Sequence, residues 1–105
     1  MVAWRLAIDF GTSNSAAARR SGDGVDAISL SHQGNLIPSA VFAEGSEFVV
    51  GHAALNQAEA DPEGFLPEPK RAIGSDSVRL GGQTREVSAV IGAVLKNIVE
   101  RASRH

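Results

Sequence analysis

Near its amino end, the chain carries a short apolar strand that runs directly into a polar, glycine-led bend. Residues 6–14 read Leu-Ala-Ile-Asp-Phe-Gly-Thr-Ser-Asn. Because the side chains of a strand alternate between its two faces, Leu6, Ile8 and Phe10 are predicted to share the buried side. Asp9 then projects from the opposite face, just before the bend. The pattern therefore predicts a carboxylate at a strand end, beside a tight turn and on the face opposite the apolar side chains.

The bend has the composition of an anion-binding turn. Gly11 lacks the Cβ that would keep a phosphate from approaching the backbone, and successive N–H groups of such a turn form an anion-binding concavity. Thr12 and Ser13 add hydroxyl donors. A carboxylate at a strand end is suited to order Mg²⁺, which prefers hard oxygen ligands and keeps several waters. The residues thus predict a site for the terminal phosphates of a nucleotide and its metal ion, formed by Asp9 and residues 11–14.

An ordinary hairpin turn is the alternative interpretation, because Asp, Gly, Ser and Asn populate turns through local hydrogen bonds. The bend is not a Walker loop, since no Gly-Lys-Ser/Thr follows it. It also differs from the dinucleotide pattern Gly-x-Gly-x-x-Gly, which requires a helix that opens at the loop. Residues 15–20 are predicted to form a strand instead.

Composition restricts the classes of partner. The 105 residues carry a formal net charge of −2, and the 43% hydrophobic content is typical of a globular chain. The basic pairs Arg19-Arg20 and Lys70-Arg71 are isolated, so nucleic-acid binding has no compositional support. The absence of cysteine excludes disulfides and thiolate sites. The longest apolar helical stretch, residues 87–99, is too short to cross a bilayer, and we expect a soluble, cytoplasmic protein with no membrane partner.

Turn signals and apolar runs predict strands over residues 4–10, 15–20, 25–30, 39–42 and 48–50, with a loop over residues 31–35. The first three are expected to form an antiparallel meander, and the last two a hairpin. A helix is predicted over residues 52–60, and Asp61-Pro62 ends it. After an irregular stretch over residues 63–74, a second hairpin is predicted, with residues 78–80 before a turn at Gly81-Gly82. Thr84 is the predicted N-cap of a last helix over residues 85–102, whose apolar residues recur at helical spacing.

These segments resemble the N-terminal part of the nucleotide-binding domain of the seventy-kilodalton heat-shock chaperones, the DnaK-like proteins. Residues 8–15 look like the first phosphate signature of that family, and residues 37–42, Ile-Pro-Ser-Ala-Val-Phe, are similar to its Thr-Pro-Ser strand. Residues 50–74 follow its stretch from Val-Gly to Lys-Arg-x-Ile-Gly without a gap. The phosphate signature alone is shared across the actin-like ATPase superfamily, including sugar kinases, whereas the two later segments indicate the chaperone branch.

The resemblance implies an α/β chain with the ribonuclease-H-like fold of the actin-like ATPases, of which the sequence would cover the opening part of lobe I. Residues 1–37 would form a first subdomain, a β-meander with the phosphate loop. Residues 38–105 would form a second subdomain with hairpin strands and two helices. We therefore expect an N-terminal fragment of a longer ATPase domain.

The resemblance also implies roles for individual residues. The β- and γ-phosphates of ATP or ADP would be held by Gly11, Thr12, Ser13 and Asn14. Asp9 would hold the Mg²⁺ shell through water. Lys70 would reach toward the γ-phosphate and the attacking water, with Arg71 paired to an acidic neighbour in support. On sequence grounds alone a solvated surface lysine is the commoner interpretation of Lys70, whereas the resemblance favours a catalytic role for Lys70 and Asp9. Pro67 and Pro69 depart from the family pattern beside this lysine.

The function implied is that of an ATP-binding fragment of a chaperone, whose hydrolysis drives the capture and release of unfolded polypeptide clients, with a co-chaperone or exchange factor as a further partner. A small-molecule kinase and a non-catalytic actin-like scaffold are the alternatives. Because the resemblance places the rest of the nucleotide cleft in later sequence, we expect little ATPase activity from these 105 residues alone. Surfaces meant for missing lobes could also pair with one another.

Overall fold

The computed structural model describes residues 4–22, 24–30 and 34–104. Within them the strands are β1 (Trp4–Phe10), β2 (Asn14–Ser21), β3 (Gly24–Ala27), β4 (Ile37–Pro38), β5 (Val41–Glu44), β6 (Glu47–Val50), β7 (Phe65–Leu66), β8 (Ser77–Leu80) and β9 (Gln83–Glu86). The helices are α1 (His52–Ala58) and α2 (Val87–Ala102), and 3₁₀ turns occupy Pro62–Gly64 and Pro69–Ala72. The chain is a mixed α/β structure built on antiparallel sheets, as predicted at this coarse level.

The predicted meander is confirmed. β1, β2 and β3 pair antiparallel in that order, and β4 pairs with the start of β2. The third strand ends at Ala27, earlier than predicted. The Ile28 N–H still donates to the Ala17 carbonyl at 2.9 Å, and beyond it the pairing with β2 stops, with Ile28 and Leu30 buried in the core. The loop predicted over residues 31–35 lies partly outside the described residues.

The two faces of β1 divide as the alternation predicts. Leu6, Ile8 and Phe10 are half-buried and pack against the main hydrophobic core, while Asp9 and Ala7 on the other face are exposed. The strand therefore turns its apolar side chains inward. Its last carboxylate faces solvent at the end that leads into the bend.

The predicted hairpin is also confirmed, with β5 and β6 paired antiparallel and β7 added at the other edge of β5. β5 begins at Val41 and not at Ser39, because Ser39 continues the register of β2 with β4, while Ala40 adds one bond in register with β6. The Ser39 N–H donates to the carbonyl of Ser13 at 3.0 Å, and the Gly51 N–H donates to the carbonyl of Ala40 at 3.0 Å. This dipeptide connects the meander to the second sheet.

The predicted N-cap at Thr84 is wrong. Thr84 lies in β9 opposite Arg79 of β8, and α2 begins at Val87 with Glu86 as its N-cap residue. Gly81 and Gly82 both adopt positive φ, at 60° and 77°. This tight turn brings the next four residues back alongside β8, so their backbone groups pair with that strand before the helix starts.

One hydrophobic core joins the sheets to the last helix. The inward face of α2 is formed by Val87, Val90, Val94, Ile98 and Ala102. The last four of these lie in one buried cluster with Ala17 of β2, Ile37 of β4 and Val41 of β5. The helix thereby holds the meander and the second sheet against a common apolar layer. Among the described residues, no helix is long and apolar enough to span a bilayer.

Candidate functional site

The bend predicted to bind phosphate closes the hairpin between β1 and β2. Phe10 and Ser15 form the last register pair of the two strands, and residues 11–14 connect them. Asp9 lies opposite Ala16 on the exposed face of this pair. The fold thus brings Asp9 and the four loop residues to one end of one hairpin. Ser13 and Asn14 are exposed, and Gly11 and Thr12 are half-buried.

Glycine at position 11 is required by space. A Cβ built on Gly11 would collide with the backbone carbonyl oxygen of Asn14. That oxygen belongs to the polypeptide itself, so it cannot rotate away as the end of a side chain can. Any larger residue at position 11 must therefore displace the loop backbone.

Ser39 holds this loop on its inner side. Its N–H donates to the carbonyl of Ser13 at 3.0 Å, and its hydroxyl donates to the carbonyl of Gly11 at 2.9 Å. The Ser39 hydroxyl also lies 2.8 Å from the Ser15 hydroxyl, and both serine side chains are fully buried. Sequence reasoning placed Ser39 in the Ile-Pro-Ser segment but gave it no role at the loop. The small polar residue after Pro38 was the one signal that could have indicated it.

Asp9 is accessible to a cation. Its side chain faces solvent and makes no hydrogen bond or ion pair with any other described residue. No group of three or more His, Cys, Asp or Glu residues that could hold a metal occurs in the described parts of the chain. A single carboxylate fits Mg²⁺ in a nucleotide site, because that ion is commonly held by one or two carboxylates, substrate phosphates and several waters.

Lys70 lies on a separate element. It belongs to the 3₁₀ turn Pro69–Ala72, which packs against α2, and its side chain is exposed. No hydrogen bond or ion pair joins Lys70 to the loop within the described residues. Pro69 is buried at the first position of the turn, where proline is tolerated because its missing N–H would be unpaired there anyway.

The predicted pairing of Arg71 with an acidic neighbour is present. The Arg71 Nε lies 3.1 Å from Glu68 Oε2, and the Arg71 side chain is largely exposed. An exposed pair of this kind contributes only about 0–1 kcal/mol to stability. The pair joins two residues that lie on either side of Lys70 in the sequence.

Comparison with known proteins gives a consistent match along the chain. The sequence model of the Hsp70 protein family matches residues 5–101. The chaperone protein DnaK of Methanothermobacter thermautotrophicus is 38% identical over 104 residues, covering 90% of this chain. DnaK of Thermotoga maritima is 36% identical over 101 residues, and DnaK of Halobacterium salinarum 29% over 102 residues.

This chain spans 17% of the length of the first two of these relatives and 16% of the third. All three relatives are named as chaperones. This favours the chaperone branch that the resemblance indicated and not the sugar-kinase alternative. The family match extends from β1 through nearly all of α2 and includes both the loop and the segment that carries Lys70. The chain belongs to the Hsp70 protein family.

Proposed function

We propose that this chain supplies the first phosphate loop and the metal-ordering carboxylate of an ATP site, in a chaperone whose ATP hydrolysis drives the binding and release of unfolded polypeptides. The observation that carries the proposal is the juxtaposition of Asp9, whose exposed side chain has no partner among the described residues, with a loop whose first residue cannot accept a Cβ. Family membership and the chaperone names of the relatives support the same assignment.

In this proposal the loop binds and Asp9 orders the metal. Residues 11–14 present backbone N–H groups and hydroxyls to the β- and γ-phosphates of ATP or ADP. Asp9 orients the waters of a bound Mg²⁺, and the ion, when bound, neutralises charge on the phosphates. Lys70 acts as a mobile point charge for the γ-phosphate, which its exposed position on a turn allows.

The remainder of the nucleotide cleft is proposed to come from further sequence, since the chain spans so small a share of its relatives. We place the chain in lobe I of an actin-like, ribonuclease-H-like ATPase, with subdomains over residues 1–37 and 38–105. Contacts to phosphate from one side cannot fix an in-line geometry or exclude water. The 105 residues alone are therefore expected to turn over ATP slowly or not at all, and their uncovered surfaces to favour self-association.

The proposal also covers location and partners. The intact protein is expected in the cytoplasm, with polypeptide clients and a co-chaperone or nucleotide-exchange factor as partners. Nucleic acid is not expected among them, because the basic residues are scattered over a chain with a net charge of −2.

The variant Asp9→Asn tests the proposal in the intact protein. The ADP dissociation constant is measured by calorimetry with Mg²⁺ and with EDTA. For the wild type, Mg²⁺ should strengthen binding. Asp9→Asn should weaken binding in Mg²⁺ by about tenfold, equivalent to about 1.4 kcal/mol, and leave the value in EDTA unchanged. Asp26→Asn, an exposed acidic residue in β3 of the same sheet, is the matched control and should behave as wild type.

Two results contradict the proposal. The first is a wild-type protein that does not bind ADP at all. The second is an Asp9→Asn protein whose affinity responds to Mg²⁺ as the wild type does.

A further inference from the structure

We infer that Ser39 is a positioning residue for the phosphate loop, and that it acts through its hydroxyl and not merely by filling space. The inference rests on the proposed function, because it assigns the hydroxyl a purpose at the same site. Ser39 belongs to neither strand of the hairpin that carries the loop; it follows β4 and precedes β5. The loop is therefore oriented by a segment that lies 24 residues further along the chain than Ser15.

The direction of the hydrogen bonds in this group can be deduced. A serine hydroxyl has one proton to donate, and Ser39 donates it to the carbonyl of Gly11 at 2.9 Å. In the 2.8 Å contact between the two hydroxyls, Ser15 must then be the donor and Ser39 the acceptor. The three groups form a directed chain from Ser15 through Ser39 to Gly11, in which each bond polarises the next.

This chain of bonds determines where the loop N–H groups point. All described peptide bonds are trans, and in a planar trans peptide the C=O and N–H vectors are opposed. Ser39 binds the carbonyls of Gly11 and Ser13. The N–H groups in the same two peptides, those of Thr12 and Asn14, must therefore point away from Ser39. Ser39 thus draws two loop carbonyls inward and leaves two N–H donors turned away from the protein segment that holds the loop.

The two serines differ in what their removal leaves behind. In Ser15→Ala, Ser39 keeps its proton donation to Gly11, so the loop carbonyl remains held. In Ser39→Ala, the Gly11 carbonyl loses its side-chain donor, and the buried Ser15 hydroxyl loses its acceptor. An unpaired buried hydroxyl is destabilising, so Ser39→Ala should also have a lower thermal midpoint than Ser15→Ala. Stability alone therefore cannot distinguish a positioning role from a structural one.

The double variant Ser15→Ala/Ser39→Ala separates the two roles. It removes the orphaned Ser15 hydroxyl, so its thermal midpoint should rise above that of Ser39→Ala. The Gly11 carbonyl still lacks the Ser39 hydroxyl, so nucleotide binding should not recover. Both alanine substitutions remove a single oxygen from a fully buried site, which makes the single variants matched controls for each other.

The experiment measures the dissociation constant of MgADP and the thermal midpoint for wild type and these three variants of the intact protein. We expect affinity to fall about tenfold in both proteins that lack the Ser39 hydroxyl, and to stay within about twofold of wild type in Ser15→Ala. Adenosine, which has no phosphate, serves as a second probe whose affinity should be the same in all four proteins.

The inference is overturned if MgADP affinity follows the thermal midpoint and recovers in the double variant. It is also overturned if all three variants bind MgADP equally, whether as wild type or with a shared loss, or if adenosine affinity falls together with that of MgADP. These outcomes are distinct from failure of the proposed function, in which the wild-type protein itself would not bind MgADP.

Discussion

The guanidinium of Arg101 donates to the main-chain carbonyl of Leu30 at 2.8 Å, although the two residues are 71 positions apart. The Arg101 Nε also donates to Asn97 Oδ1, one helical turn earlier in α2, at 2.6 Å. Burial lowers the pKa of the Arg101 guanidinium below its usual value, and repulsion from Arg104 lowers it further. The group still carries its charge at neutral pH, and it fastens the end of α2 to the segment that follows the meander.

We expect Arg101→Ala to lower the free energy of unfolding by about 1–3 kcal/mol, because the variant deprives a buried carbonyl of a charged donor. Arg101→Lys should recover only part of this loss, since one ammonium group cannot reproduce the two bonds of the guanidinium fork. Urea unfolding followed by circular dichroism measures the free energy of unfolding of both variants. Arg104→Ala, an exposed arginine three residues later, is the control; an equal loss there would contradict the assignment.

Gly11→Ala is expected to weaken MgADP binding by at least about tenfold, because the new Cβ must push the Asn14 carbonyl and displace the loop. The matched control is Gly92→Ala in α2, where a Cβ meets no atom within 4 Å. That substitution should leave binding unchanged and raise helix stability by about 0.5–1 kcal/mol. Calorimetry on both proteins makes the comparison, and unaltered binding by Gly11→Ala would rule out the close packing described for the loop.

Alanine substitutions at two glycines with positive φ distinguish the cost of backbone strain from the cost of steric crowding. Gly45, at φ 61°, has open space around it, whereas a Cβ on Gly51, at φ 86°, would lie 2.8 Å from Ile37 Cδ1. Gly45→Ala should destabilise the protein by about 1–2 kcal/mol through the left-handed conformation alone. Gly51→Ala should lose about 1–3 kcal/mol more through overpacking. Equal losses in denaturant unfolding would show that Ile37 moves aside freely.

Lys70→Ala tests the proposed charge at the γ-phosphate. Because the side chain is exposed and unpaired among the described residues, the variant should keep the thermal midpoint of the wild type. Its single-turnover rate of ATP hydrolysis in the intact protein should fall at least about tenfold. Lys96→Ala in α2, also exposed, should hydrolyse ATP at the wild-type rate. An unchanged hydrolysis rate in Lys70→Ala would contradict the proposed role and show that Lys70 is a solvated surface lysine.

Local patterns were sufficient for the elements that depend on neighbouring residues. The alternation of Leu6, Ile8 and Phe10 predicted the buried face of β1, and the paired apolar runs predicted the hairpin of β5 and β6. The hairpin predicted at Gly81-Gly82 is present, and the cap at Thr84 failed because the returning strand of that hairpin continues through Glu86. Once Gly81 and Gly82 turn the chain, the backbone of Thr84 pairs with Arg79, and the helix must start later.

In the candidate site, too, the features formed by neighbouring residues were predictable and those formed by distant residues were not. The positions of Asp9 and residues 11–14 at one hairpin end follow from contiguous sequence. The support given by Ser39 does not, because it depends on β4 returning to pair with the start of β2. Ser15 and Ser39 are 24 residues apart, and no periodicity in the sequence indicates that their hydroxyls meet. Lys70 stays a prediction whose role depends on family membership.

Each residue of the dipeptide Ser39-Ala40 bonds to a different part of the fold. Ser39 donates to the carbonyls of Gly11 and Ser13 in the loop, and the carbonyl of Ala40 accepts from the N–H of Gly51, just before α1. Because these two consecutive residues bond to the two different sheets, the separation between the meander and the second sheet at this point is limited to the reach of one dipeptide.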